Sequence, residues 1–446
     1  MHLPRRAPVD NARGARSRRR HLRSGLLAAC LGLFAAGPAG ANAVVDWNTI
    51  FEQVAPAAGA PPQWTRLGAM THIAIHDALN AIDPRYRTYS VVPPANHNAS
   101  PDAAIAAAAH GVLMSELSRP PETSLKAASR ARVQAVYAAA LAGIADGPAK
   151  SQGVAAGQEA AAAIISQRTG DGSATPHLPY TLAPGPGVHQ PTQPDLTAPL
   201  FGGWGQVRPF AMNSPSQFRA APSPLFNLRG LVYALNYLEV QALGAASVRA
   251  AAPDSERSRI ARFWPGGGAN GNAVARTIVA NRGLDSWQHA RLFALLNIAN
   301  ADAAIAAFET KYRYNFWRPL TAIRWASDGN RFTWSDPAWL PYLPTPPYPE
   351  YTCGLTANTG SSTGILRRYF GTDNVPYALT VTIPRPPPLP PETLTRSYAT
   401  LSQAAIESVD ARVYGGIHFR SSCVQGLRQA EKVSRFVFNH YLRPLR

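Results

Sequence analysis

Four basic side chains in the last third of the chain, Lys311, Arg318, Arg412 and His418, have the types and spacing to do chemistry. Lys311 and Arg318 lie seven residues apart in KYRYNFWRPLTAIR. Seven steps of about 100° fall only about 20° short of two helical turns, so on a continuous helix both cations face one side. Pro319 follows at once and cannot continue the hydrogen-bond ladder, which puts Arg318 near a helix end with its guanidinium able to reach a cleft. A lysine here is unusual in itself, because the chain holds four Lys against 39 Arg. Such a pair suits a grip on a tetrahedral oxyanion; the alternative is a solvated basic helix face.

Arg412 and His418 sit six residues apart in DARVYGGIHFRSS and would point to different faces of an unbroken helix. Gly415 and Gly416 lie between them and invite a turn that permits close backbone approach and aims both side chains at one point. A neutral imidazole nitrogen can attack a phosphoryl or vanadyl centre at ordinary pH. The alternative is a histidine that caps the helix after it.

Together these pieces resemble the superfamily of vanadium-dependent haloperoxidases and type 2 phosphatidic acid phosphatases, in its bacterial haloperoxidase-related branch. The resemblance rests on Lys-x6-Arg-Pro at Lys311 to Pro319 and Arg-x5-His at Arg412 to His418, with GWGQVRPF, ARFW and TPPYPEY as further similar stretches. It implies that Lys311, Arg318 and Arg412 neutralise a bound vanadate or phosphate, with Cys353 and Gly354 beside it. His418 would ligate vanadium or attack phosphorus. Peroxide and halide, or a phosphate ester, would be the substrates, and the architecture would be all-α, a pair of four-helix bundles joined by long Pro/Gly-rich loops. The middle motif departs from the family's Pro-Ser-Gly-His, because the chain reads Thr352-Cys353-Gly354-Leu355. Leu355 cannot transfer a proton, and losing a positioned acid costs about 10²–10⁴ in rate. A phosphatase working through a phospho-histidine and a non-catalytic anion binder are therefore the competing readings. Glu350 and Tyr351 precede the altered motif and could supply the proton; Glu350 could equally be a loop carboxylate in water.

A second set, His72, His76 and Asp77, has histidines at i, i+4, a spacing that metal sites use. The apolar residues around them and the lack of further ligands favour packing or hydrogen bonding. Cys353 and Cys423 flank the two active-site motifs and could pair as a disulfide in an oxidising compartment, or stay as separate buried thiols.

The N-terminus reads as an export signal over residues 1–43, with an Arg-rich start, an apolar stretch and an Ala41-Asn42-Ala43 cleavage site. SRRRHL from Ser17 resembles a twin-arginine signal, and LAAC ending at Cys30 more weakly resembles a lipoprotein box. A soluble periplasmic or secreted protein is expected. Removing eight Arg and one Asp with the signal takes the net charge from +17 to +10. That charge is scattered and motif-free, which excludes nucleic-acid binding and suits anionic small molecules.

The rest divides into an N-terminal helical region, 44–290, and a C-terminal one, 291–446, that carries the pocket within the same compact body. Helices are expected at 60–83, 101–117, 124–145, 150–168, 228–250, 254–263, 272–282, 285–325, 354–370, 392–410 and 421–441. Pro-rich loops fall at 326–352 and up to 391, with no sustained strand alternation. Beyond the signal, no segment reads as a membrane span. Gly354, Ala357, Gly360, Ser361 and Gly364 line one face at helical spacing and would let a partner helix approach closely.

Overall fold

The computed structural model describes residues 42–192, 196–383, 385 and 388–445. The proposed export signal, apart from its last two residues, lies outside them. The described residues are mostly helical, as the sequence implied, with one small hairpin that it did not. In chain order the helices are α1 (Ala43–Val54), α2 (Pro61–Ile82), α3 (Pro101–Leu117), α4 (Ser124–Ala142), α5 (Pro148–Gln167), α6 (Leu231–Leu243) and α7 (Ala246–Ala250). They continue as α8 (Glu256–Phe263), α9 (Gly271–Val279), α10 (Ser286–Tyr314), α11 (Pro319–Arg324), α12 (Gly354–Phe370), α13 (Leu401–Tyr414) and α14 (Arg420–His440).

Local chemistry sets the helix starts. Ser100, Thr123 and Thr400 cap α3, α4 and α13 through their hydroxyls, and Asp285 forms a capping box with Gln288 at the start of α10. The first half of the chain packs α3 against α2, α4 and α5; the second packs α12 against α10, α13 and α14. Helix α10 lies against α2 as well as α12 and so joins the two groups. It is long and apolar enough to cross a membrane, contrary to the sequence expectation, yet 89% of its most apolar window is buried inside the protein. Its apolarity serves the core, which runs from Val44 through Phe293 to Leu442. Buried Asp302 of α10 accepts three backbone N–H bonds, from Phe210, Ala211 and Met212, and so anchors the long connection between α5 and α6.

Three helix expectations fail, the first because 228–250 is two helices, α6 and α7, separated at Gly244 and Ala245. Residues 392–398 are not helical: β1 (Tyr377–Ile383) pairs antiparallel with β2 (Glu392–Tyr398), and the Pro-rich segment joins them. The span 285–325 is two helices, because Asn315 takes a left-handed conformation (φ 50°) that ends α10.

The small-residue face of α12 does permit close contact with α14. A Cβ on Gly360 would lie 2.9 Å from the Ala430 Cβ and 3.3 Å from the Leu427 Cα. Gly360→Ala is therefore expected to cost about 1–3 kcal/mol, as overpacking does, and to lower the denaturant midpoint without changing the slope.

Candidate functional site

Each sequence-predicted cation arrives from a different local device. Lys311 is in the last turn of α10. The left-handed Asn315 then reverses the chain, and Arg318 is the N-cap residue of α11, just before Pro319. The two cations therefore converge across a helix break and do not share a helical face. Both are fully buried, so the solvated-face alternative is excluded. Arg412 is in the last turn of α13, and Gly415 to Phe419 lead into α14. At Gly416 the backbone has φ +75°, and a Cβ would sit 2.3 Å from the Gly244 carbonyl oxygen, so only glycine fits this turn. Arg412 and His418 consequently face one cavity.

Glu350 organises the histidine. It is fully buried, and its Oε1 accepts from the Phe419 N–H at 3.0 Å and from His418 Nδ1 at 2.8 Å. A carboxylate partner fixes the proton on Nδ1, leaving Nε2 with a lone pair. That assignment agrees with the 2.9 Å contact from Arg318 Nη1 to Nε2, since a guanidinium can only donate. The sequence reading of Glu350 as a proton source or solvated carboxylate thus gives way to a positioning role. Tyr351 is also excluded as a donor into the site, because its hydroxyl donates to the Ala221 carbonyl.

The remaining cation contacts divide by role. Lys311 Nζ donates to the main-chain carbonyls of Pro349 (2.9 Å), Glu350 (3.1 Å) and Thr352 (2.5 Å), so all three of its hydrogens hold the loop that carries Glu350. Buried Gln429 fastens the same loop to α10 by accepting from Thr352 and donating to Thr310. Arg318 Nε donates to the Tyr348 carbonyl and Nη1 to that of Ile417, whereas Nη2 is buried without a partner, as is Arg412 Nε. Two guanidinium donors without acceptors, and an imidazole lone pair whose contact with Arg318 Nη1 an oxyanion could replace, make a set that fits a tetrahedral oxyanion. The Tyr348 ring lies 5.2 Å from Lys311 Nζ and 5.1 Å from Arg318 Cζ, close enough for both to interact with its face.

A cavity of about 520 Å³ opens onto Arg412 and His418 and is walled by Tyr348, Gly354, Leu355 and side-chain amides such as Asn358. Cys353 caps α12 and is buried behind this wall next to Cys423, in the first turn of α14. Both are free thiols, so the disulfide expectation is corrected. Burial opposes a Cys353 thiolate, but the Cys423 thiol, His418 and Arg412 outweigh it and hold this thiol well below the usual range. Burial and Cys353 push the Cys423 thiol up. His72 bonds Asn48 and His76 bonds Asp77, in keeping with the packing reading of that set.

One residue near the site escaped the sequence reading. His189 is fully buried with neither ring nitrogen paired, and burial, Arg318 and Lys311 push its pKa down to about 3. It sits in a Pro/Gly-rich loop, with no spacing motif to mark it. Its proximity to the cations comes from pairing of Val188 with Phe316.

Burial, then Arg318, lower the Lys311 pKa from 10.5 to about 7, against the pull of Cys353 and Glu350. Between about 7 and 10.5 the unfolded chain holds more of this proton than the folded one, so stability rises with pH across that window. Below about 7 the cost of the buried charge is fully present. Melting temperatures at paired pH values should show this rise in the wild type and a flatter one in Lys311→Met.

Comparison with known proteins agrees with this arrangement. Residues 291–446 match the family described as the VCPO second helical-bundle domain. The chain is similar to the vanadium chloroperoxidase of Curvularia inaequalis, with 28% identity over 181 residues, covering 32% of this chain and 29% of that enzyme's length. It also resembles the crystal structure of a bacterial vanadium-dependent iodoperoxidase, with a TM-score of 0.71 and 24% identity over 90% of this chain and 96% of the other. A holo-type bacterial vanadium-dependent chloroperoxidase superposes with a TM-score of 0.68 and 20% identity, over 90% and 97%. The resemblance read from the two motifs holds, and the fold is that of the vanadium haloperoxidases.

Proposed function

From this fold and a C-terminal region of the VCPO bundle type, we propose that the protein is an exported, haloperoxidase-like binder of vanadate. One observation carries the reading: Glu350 locks His418 with Nε2 unprotonated, while Arg318 Nη2 and Arg412 Nε stand buried without acceptors beside it. His418 Nε2 would hold the vanadium, and Arg318 and Arg412 would neutralise the oxygens. Lys311 acts at one remove, by fixing the loop that aims Glu350 and by adding positive charge. When bound, vanadate supplies a Lewis acid that activates peroxide for halide oxidation. The chain's own residues orient it and exclude water. Leu355 brings no proton to the cavity; Tyr348 also lines it, and burial raises the pKa of its hydroxyl, which stays protonated and able to donate. The Arg-rich, apolar N-terminus supports a periplasmic or secreted location.

A phosphatase reading is favoured by the cavity, whose volume of about 520 Å³ and aromatic and amide walls leave room for the organic part of an ester. One plate separates the readings. Halide oxidation by peroxide that appears only with added vanadate is the expected result, together with saturable vanadate binding by the purified protein. Hydrolysis of an aryl phosphate, blocked by vanadate, would move the assignment to the phosphatase. Saturable binding with neither turnover would leave an anion-binding protein, and no binding at all would end the proposal.

A further inference from the structure

We propose that Cys353, Cys423 and His418 form a binding site for a soft monovalent metal ion, copper(I), held by two thiolates and one imidazole. This inference rests on the two sulfurs and needs no oxyanion, but it draws on the same His418 Nε2 as the vanadate reading, so copper(I) and vanadate exclude one another at that atom.

The donor geometry comes first. One ligand atom from each of the three residues lies within 4.8 Å of the others, and all three residues are buried. With metal–sulfur bonds of about 2.3 Å, sulfur atoms lie about 4.0 Å apart in a trigonal site and about 4.6 Å apart in a linear one, so the cluster closes on an ion with small side-chain shifts.

The backbone holds the two cysteines in place. The Thr356 hydroxyl lies 3.2 Å from the Cys353 carbonyl oxygen and 2.9 Å from that of Cys423, bridging the two segments. The Cys353 N–H donates to the Ser422 carbonyl at 3.4 Å. At Gly426 a Cβ would come within 2.7 Å of the Cys353 carbonyl oxygen, so the start of α14 is pressed against the start of α12. His418 has the carboxylate partner, Glu350, that metal-binding imidazoles characteristically keep. Val409 and Leu427 cover the sulfurs with apolar surface.

Ligand softness and charge then choose the ion. Two thiolates and an imidazole select copper(I) or zinc over hard cations, and structural zinc asks for a fourth ligand. Among the described residues this cluster offers three. Lys311, Arg318 and Arg412 surround it, and their repulsion is least for the ion that leaves the complex most negative. Copper(I) with two thiolates and a neutral imidazole carries a charge of about −1, whereas zinc would give about 0. Binding displaces the protons that the two thiols still carry and changes no oxidation state.

The test uses the purified, reduced chain under argon, titrated with copper(I) against a chromogenic copper(I) chelator. The expected result is retention of a single equivalent by the wild type, its loss in the Cys353→Ala/Cys423→Ala double variant and weaker retention in His418→Ala. X-ray absorption of the copper-loaded wild type should show two sulfurs and one nitrogen, a readout that does not depend on the variants folding. Copper left wholly with the chelator, equal retention by the double variant, or a shell of nitrogen and oxygen alone would each overturn the proposal. Zinc held as tightly as copper(I) would overturn the choice of a monovalent ion. Vanadate binding is measured separately, so either proposal can fail alone.

Discussion

Leu355→His is expected to raise turnover by about 10²–10⁴-fold while leaving the affinity for vanadate nearly unchanged, because a positioned acid contributes about that much to rate. Leu355 occupies the first turn of α12 and lines the cavity beside Arg412 and His418, so an imidazole there reaches the same space. The cations that hold the anion come from the start of α11 and the end of α13 and are untouched by the change. Leu355 is only partly buried and faces open volume, so the strain of substitution should stay below about 1.5 kcal/mol. Arg412 and Arg318 would lower the pKa of the new imidazole, which favours release of its proton. The measurement is kcat for halide oxidation and, separately, a vanadate titration. Turnover that does not move would place the proton donor elsewhere, and Tyr348→Phe would then be the variant that falls.

What the sequence revealed and concealed follows from the range of the interactions involved. Helix α12 was legible over its full length, because small residues at three- and four-residue spacing and a final glycine are local signals. The β1–β2 hairpin was not. Its strands are short and half exposed, and the segment TLTRSYATLSQAAIESV carries enough helix-forming residues to extend α13 backwards on paper. The convergence of Lys311 and Arg318 was expected for a reason the structure does not support: a shared helical face, where the chain uses a left-handed Asn315. Arg412 and His418 were legible because the turn between them is written in adjacent glycines. The role of Glu350 was not legible. Its partners His418 and Phe419 lie 68 and 69 residues away, and a lone glutamate in a Pro-rich loop carries no sign of burial. The cysteines' proximity could be guessed from the motifs they flank, but their state as free thiols could not.

Glu350→Gln should weaken vanadate binding by about 10–100-fold, the range seen when a carboxylate behind a metal-bound histidine is lost. The amide can keep the geometry. Its oxygen can accept from both the Phe419 N–H and His418 Nδ1–H, as Glu350 Oε1 does. Its NH₂ then falls where Glu350 Oε2 lies buried without a partner, so the amide gains no bond that would turn it round. The tautomer therefore survives, and what disappears is the negative charge that makes Nε2 a stronger donor and offsets Arg318 and Lys311. Glu350→Ala removes the orientation too and leaves those buried cations without their counter-charge, a loss of about 3–5 kcal/mol in stability by analogy with broken buried pairs. The ordering of the two variants carries the argument. A fall in both vanadate affinity and melting temperature in Gln, and a further fall in both in Ala, assigns charge and orientation to Glu350. Equal loss in the two, with equal melting temperatures, would mean that the carboxylate acts through charge alone and that His418 is held by its neighbours.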